Sequence, residues 1–246
     1  MHITDEGSGA TIVWIHGYPL NSGIFRPQLA IEGFRHLMPD LPGFGQTPAA
    51  SGELSMDDYA RAVLAELDQR GIDRATFAGV SMGGYVCFAI AQLAPERVEG
   101  LILIDTKETA DTEEGRKGRY DSIEKVKNEG LTPIVDAMLP KMLTPAASPE
   151  MVAQVRAIME ATSPAGAIAA LGAMANRPDS SALLPALDVR TLIVVGDQDS
   201  ITPVADAQRM AAALPHAKLV VLEGAAHLSN LQQSAAFNKA ALLWLT

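Results

Sequence analysis

The sequence predicts an α/β fold built on a mostly parallel, doubly wound sheet, and three observations carry that expectation. Six short apolar runs recur along the chain, at 11–17, 34–43, 75–81, 101–106, 191–197 and 218–224. Most are apolar continuously rather than alternately, the pattern of strands buried on both faces. Helix-period segments stand between the runs, giving the strand–helix alternation of right-handed crossovers. The length of 246 residues, with 48% hydrophobic and 20% charged residues, supplies a sizeable core for one domain.

Each element follows from local chemistry. The opening MHITDEGSG is polar and too short for a full hairpin. TIVWIHG and FRHLMPDLPG read as the first two buried strands. Residues 57–71 place apolar side chains at helical spacing, with Ser55 as N-cap and Gly71 as stop. ATFAGVS is a strand that runs straight into a helix over 82–93, halted by Pro95. LILIDT and TLIVVGD are strands, and between them 107–190 is too long for one crossover. That interval opens charged at 112–130, read as a solvated helix face. It then turns Leu-, Met- and Ala-rich, punctuated by Pro133, Pro140, Pro145, Pro149 and Pro164. It reads as about four short helices separated by proline breaks, an insertion at 108–178 between core segments 1–107 and 179–246. The strand KLVVLEG lies between helices over 203–214 and 234–245.

Charge and composition exclude several function classes. A formal net charge of −10 repels phosphate backbones and anionic lipid, so nucleic acid and membrane surfaces are poor partners. It mildly disfavours anionic substrates too, unless a local basic pocket overrules it. Cys87 is the single cysteine, so no intrachain disulfide forms, and it falls at an apolar helix position expected to be inert. The N-terminus lacks the basic and apolar regions of a signal peptide, and no apolar run is long enough to span a bilayer. A cytoplasmic protein is expected. Histidines and carboxylates show no metal-ligand spacing, DLPGFG lacks the lysine of a phosphate-binding loop, and no cofactor is expected. No segment reads as a dimerisation element.

The chemistry is concentrated in GVSMGG, 79–84, at the junction of strand and helix. Glycines either side of Ser81 allow a sharp, strained turn, and the helix starting at Met82 aims free N–H groups at charge developing beside the serine. A serine nucleophile needs a base, and the base needs an orienting acid. GDQDSITP (196–203) and GAAHLSN (224–230) follow two later strands, at the sheet edge where ligands bind, and they offer Asp199 and His227. The order Ser81, Asp199, His227 matches the elbow motif's expected order. Met82 N–H and Tyr18 N–H, the latter in the loop after TIVWI, are the expected oxyanion donors.

With HGYP (16–19), DLPGFG (40–45), GVSMGG, GDQDSITP and AAH (225–227) in order over essentially the whole chain, the sequence resembles the α/β-hydrolase fold superfamily. That resemblance implies an eight-stranded sheet, here lacking one or two opening strands, with a helical cap inserted after the sixth family strand. It implies a serine esterase for short to medium apolar acyl groups, or a lactonase of the enol-lactone or acyl-homoserine-lactone type. A carbon–carbon bond hydrolase, a cofactor-free perhydrolase and a ligand receptor on the same scaffold share the motifs. Serine at the elbow excludes the dehalogenase and epoxide-hydrolase chemistries that use aspartate. Asp197 could exchange roles with Asp199, and some relatives take the acid from the strand ending at Asp105. In such loops His16 is structural, and His2, His36 and His216 are expected at the surface or at strand ends. Pro19, Leu20, Met138, Met142, Met174, Ile201 and Leu228 are the expected substrate-pocket residues; Met159 belongs to the same methionine set.

Overall fold

In the computed structural model, which describes residues 1–246, seven strands form one sheet. They are β1 (Ile3–Gly7), β2 (Ala10–Ile15), β3 (Phe34–Pro39), β4 (Ala75–Val80), β5 (Val98–Ile104), β6 (Arg190–Gly196) and β7 (Ala217–Leu222). Their order across the sheet is β1-β3-β2-β4-β5-β6-β7, with only β1 antiparallel to its neighbour. Every residue of β4 is buried, as continuous apolar patterning requires of a central strand covered on both faces.

Strand β1 lies within the stretch read as too short and polar for a full hairpin. It pairs with β3, from Ile3 opposite Pro39 to Gly7 opposite Arg35, and an Arg35 Nη2–Asp5 Oδ2 ion pair of 2.7 Å crosses the pairing. An edge strand held by its neighbour needs no apolar run of its own, so composition does not announce it. His36, expected near the surface, is buried in β3. It accepts the Trp14 indole N–H at 3.0 Å and lies over the Trp14 ring, which also packs on Phe25 and Phe237.

Helices α1 (Met56–Gln69) and α2 (Met82–Leu93) pack together beside β4 and β5. Ser55 caps α1 in a reciprocal box with Asp58. Between β5 and β6 lie α3 (Glu113–Glu129), α4 (Thr132–Met142), α5 (Pro149–Glu160) and α6 (Pro164–Ala175). The prolines expected as breaks mostly open these helices. Pro133, Pro149 and Pro164 sit in the first turn, where the missing N–H has no partner to lose, with Ser148 and Ser163 as caps before the last two. Pro140 lies inside α4. Buried side chains of all four helices, among them Val126, Val135, Met159 and Ala170, join the same apolar cluster as the sheet. The insertion therefore has no separate core. After β6 come α7 (Val204–Ala213), the single turn α8 (Ser229–Gln232) and α9 (Ser234–Leu245). No single helix is long and apolar enough to cross a membrane.

Candidate active site

The ends of β4, β5 and β6 bring Ser81, Asp105 and the loop carrying Asp199 to one edge of the sheet. Ser81 joins β4 to α2 with φ +53° and ψ −113°, one of two non-glycine residues at positive φ. This sparsely populated backbone is held from both sides: Ser81 N–H donates to Ile104 O at 2.9 Å, and Thr106 Oγ1 donates to Ser81 O at 2.7 Å.

The glycine after Met82 is required by close approach. A Cβ on Gly83 would stand 2.0 Å from the Ile15 carbonyl oxygen, since the start of α2 lies directly on β2. Gly83→Ala is expected to lower stability by about 2–3 kcal/mol, roughly 5–10 °C in Tm. Gly172→Ala, inside α6 with nothing within 4 Å, is expected to be neutral or mildly stabilising. Thermal melts of the two variants check the contrast, and equal effects would mean that the contact at Gly83 is not what excludes a side chain.

Asp199 and His227 meet. Asp199 Oδ2 accepts from His227 Nδ1 at 2.8 Å and from Thr202 Oγ1 at 2.7 Å. Its Oδ1 accepts the N–H groups of Ile201 and Thr202 at 2.8 and 3.0 Å. Burial pushes the Asp199 pKa up, but the His227 charge and these hydrogen bonds outweigh it and leave the group below its ordinary value. Burial likewise pushes His227 down, and the Asp199 charge and hydrogen bond raise it above its ordinary 6.5. No hydrogen bond joins the Ser81 hydroxyl to the imidazole in this structure.

The other two candidate acids do different things. Asp197 Oδ1 accepts from Gly224 N–H at 2.8 Å and Ala225 N–H at 3.3 Å, tying the two loops together. Asp105, fully buried, accepts from Gly196 N–H and Ser229 N–H, both at 2.9 Å, and so anchors the entry to the Asp199 loop and the exit from His227. Burial, then the nearby Asp199 charge, lifts its pKa to about 6. His16 is structural: its Nε2 accepts Leu41 N–H at 3.0 Å, which leaves Nδ1 to donate to Gly17 O at 2.9 Å. Burial pushes it down to about 4, so it is neutral at pH 7. Cys87 is buried, and burial pushes its thiol pKa up.

The HGYP loop passes directly beside the serine, because a Cβ on Gly17 would stand 3.1 Å from Ser81 Cβ. Neither the Tyr18 nor the Met82 amide donates to an acceptor within the protein. Of the expected pocket residues, Met138 lines a cleft that it shares with Tyr18. Leu20, Met142, Met174 and Leu228 are instead enclosed in the apolar core, as is Met159. Pro19 uses its carbonyl to accept from Thr162 Oγ1 at 3.0 Å, and Ile201 holds Asp199 through its amide. The residue missed from the sequence is Arg119, which lies in the charged segment read as a solvated face but lines the cleft. Gly115, Gly118 and Ser122 stand on the same side of α3 at helical spacing. Both glycines are exposed, so nothing in this run of small residues marked which side of the helix borders the cleft.

Comparison with known proteins agrees with this fold. Residues 10–234 match the family model described as alpha/beta hydrolase fold. The 3-oxoadipate enol-lactonase 2 of Acinetobacter baylyi is 32% identical over 204 residues, covering 82% of this chain and 74% of that protein. The structure of a thermophilic esterase from Thermogutta terrifontis superposes with a TM-score of 0.97 at 34% identity, over 99% of this chain and 92% of that one. The enol-lactonase from Burkholderia xenovorans does so with a TM-score of 0.92 at 27% identity, over 99% and 95%. The chain belongs to the α/β-hydrolase fold family.

Proposed function

We propose that the protein is a serine hydrolase that cleaves carboxylic esters of short to medium apolar acyl groups through an acyl-enzyme on Ser81. The observation that carries this is the buried Asp199 Oδ2–His227 Nδ1 hydrogen bond of 2.8 Å, on loops at the same sheet edge as a serine held at positive φ. His227 Nε2 takes the hydroxyl proton as Ser81 Oγ attacks the ester carbonyl carbon. The negative charge that moves to the carbonyl oxygen is received by the Tyr18 and Met82 amides, donors that are free in the protein. On collapse His227 returns the proton to the leaving alcohol, then activates water to release the acid. Asp199 stays ionised and stabilises the imidazolium. Helices within 108–178 form a cap that shapes the pocket. The compartment assigned by this reading is the cytoplasm, where the unpaired, buried Cys87 suits a reducing environment.

Similarity to two enol-lactonases supports a second reading, hydrolysis of a cyclic ester, in which the leaving alkoxide stays tethered to the acyl group. Both readings share the first step. Treatment with a fluorophosphonate, followed by peptide mass spectrometry, is expected to place one adduct on Ser81 and to abolish hydrolysis of p-nitrophenyl esters. An adduct elsewhere, or full activity after complete labelling, would remove Ser81 as nucleophile. Relative rates on p-nitrophenyl esters of increasing acyl length and on lactones choose between the two readings.

A further inference from the structure

Beside the HGYP loop, under α3 and α4, is a cleft of about 280 Å³ whose lining includes Tyr18, Arg119, Ser122, Ile134, Met138 and Leu171. One wall is apolar and the other is polar. On the polar wall Arg119 donates from Nε to Asp111 Oδ2 at 2.9 Å, and neither of its two terminal nitrogens has a partner in the protein. Asp111 is shared with Arg177, whose Nη1 lies 2.9 Å from Oδ1, so this one carboxylate faces two guanidinium groups. The Tyr18 hydroxyl, on a residue only 4% exposed, is buried and has no hydrogen-bond partner. A buried phenol without a partner is costly in a folded protein, and one beside a free guanidinium edge invites an acceptor oxygen. The cleft also borders the HGYP loop that passes beside Ser81. Tyr18 belongs to both, and the positive charge of Arg119 lowers the pKa of the Tyr18 hydroxyl, against the dominant effect of burial, and that of His227, in the same direction as burial.

We infer that this cleft is a carboxylate-binding subsite, in which the free end of Arg119 and the Tyr18 hydroxyl hold an anionic group on the far side of the substrate from the ester. This rests on the ester-hydrolase reading and narrows it to an ester or lactone carrying a carboxylate at the end of an apolar chain. The chain lies along Ile134, Met138 and Leu171, and the planar carboxylate meets the guanidinium fork edge to edge. A monoanion is favoured over a phosphate dianion, because Asp111 lines the same cleft and the protein carries a formal net charge of −10. The negative surface slows the approach of such substrates, and Arg119 supplies a local basic site that overrides it.

The test compares monomethyl esters of dicarboxylic acids of increasing length with methyl esters of equal chain length ending in a methyl group. Acetyl esters of hydroxy acids form a second arm, which places the carboxylate on the alcohol side. In one of the two arms the wild type is expected to prefer the carboxylate-bearing ester in kcat/KM. Arg119→Met is expected to reduce that preference roughly 10- to 100-fold, with Arg119→Lys recovering part of it and Tyr18→Phe reducing it less. Ser122→Asp, one turn along an exposed helix from Arg119, sets a like charge in the cleft without disturbing the core, so its loss of preference cannot be blamed on misfolding. Calorimetric binding of the same half-esters to Ser81→Ala protein reads the subsite without turnover. Binding there that weakens on Arg119→Met supports the subsite even if the wild type hydrolyses no ester, an outcome that sinks the hydrolase reading alone. Equal preference in wild type, Arg119→Met and Ser122→Asp, or tighter binding of the neutral esters throughout, would overturn the subsite.

Discussion

Ser81→Ala is expected to lower kcat for p-nitrophenyl ester hydrolysis by about 10⁴–10⁶-fold while leaving the fold intact. The hydroxyl forms no hydrogen bond in the protein, and its removal opens no large cavity, so the stability change is expected within about 0.5 kcal/mol. The backbone strain is a separate quantity. Ser81 is held at φ +53° by Ile104 O and Thr106 Oγ1, contacts that any residue there keeps. Ser81→Gly, equally inactive, is therefore expected to be more stable than Ser81→Ala by about 1 kcal/mol, because glycine adopts this conformation without a Cβ clash. Turnover and thermal melts on both variants separate nucleophile from elbow. Residual activity within tenfold of wild type in Ser81→Ala would end the acyl-enzyme mechanism.

Asp199→Asn is expected to cost about 10⁴-fold in kcat and to change the pH dependence. All four groups facing the carboxylate donate: the Ile201 and Thr202 amides, the Thr202 hydroxyl and His227 Nδ1. An asparagine NH₂ must oppose one of them. If it opposes the imidazole, it favours the tautomer whose proton is on Nε2, which cannot accept from Ser81. The base works only when neutral, so wild-type kcat/KM rises with pH through a His227 pKa that stands above 6.5. Without the Asp199 charge, burial dominates and the acidic limb moves to lower pH. The pair also links stability to pH. The raised His227 pKa contributes stability that is complete below 6.5 and lost as pH rises through the folded value. The lowered Asp199 pKa contributes stability present above 3.8 and lost as pH falls through its folded value. A pH–rate profile of the variant with its acidic limb unmoved would refute the electrostatic role given to Asp199.

The sequence by itself determined the sheet interior and brought forward the candidate reacting residues. Parallel strands must be apolar on both faces, so β2, β4, β5 and β6 are written as continuous runs, and α2 and α9 have the bounds expected of them. Ser81, Asp199 and His227 were legible as candidates because glycines, a strand end and chain order constrain those positions locally. Tertiary structure alone decided the rest. Strand β1 exists because β3 offers it a partner, and His36 is interior because Trp14 donates to it. Three carboxylates stood as possible acids, and only folding shows Asp199 on His227 while Asp105 and Asp197 hold backbone amides. The expected pocket methionines divide in the same way: Met142 and Met174 fill the core, and Met138 reaches the cleft. Arg119 is the sharpest case, since a helix of alternating charges does not state which of its arginines faces inward. Local pattern encodes what a residue can be within its own element. Which elements face one another, and so which charges and hydroxyls share a cavity, is set by packing between segments distant in sequence.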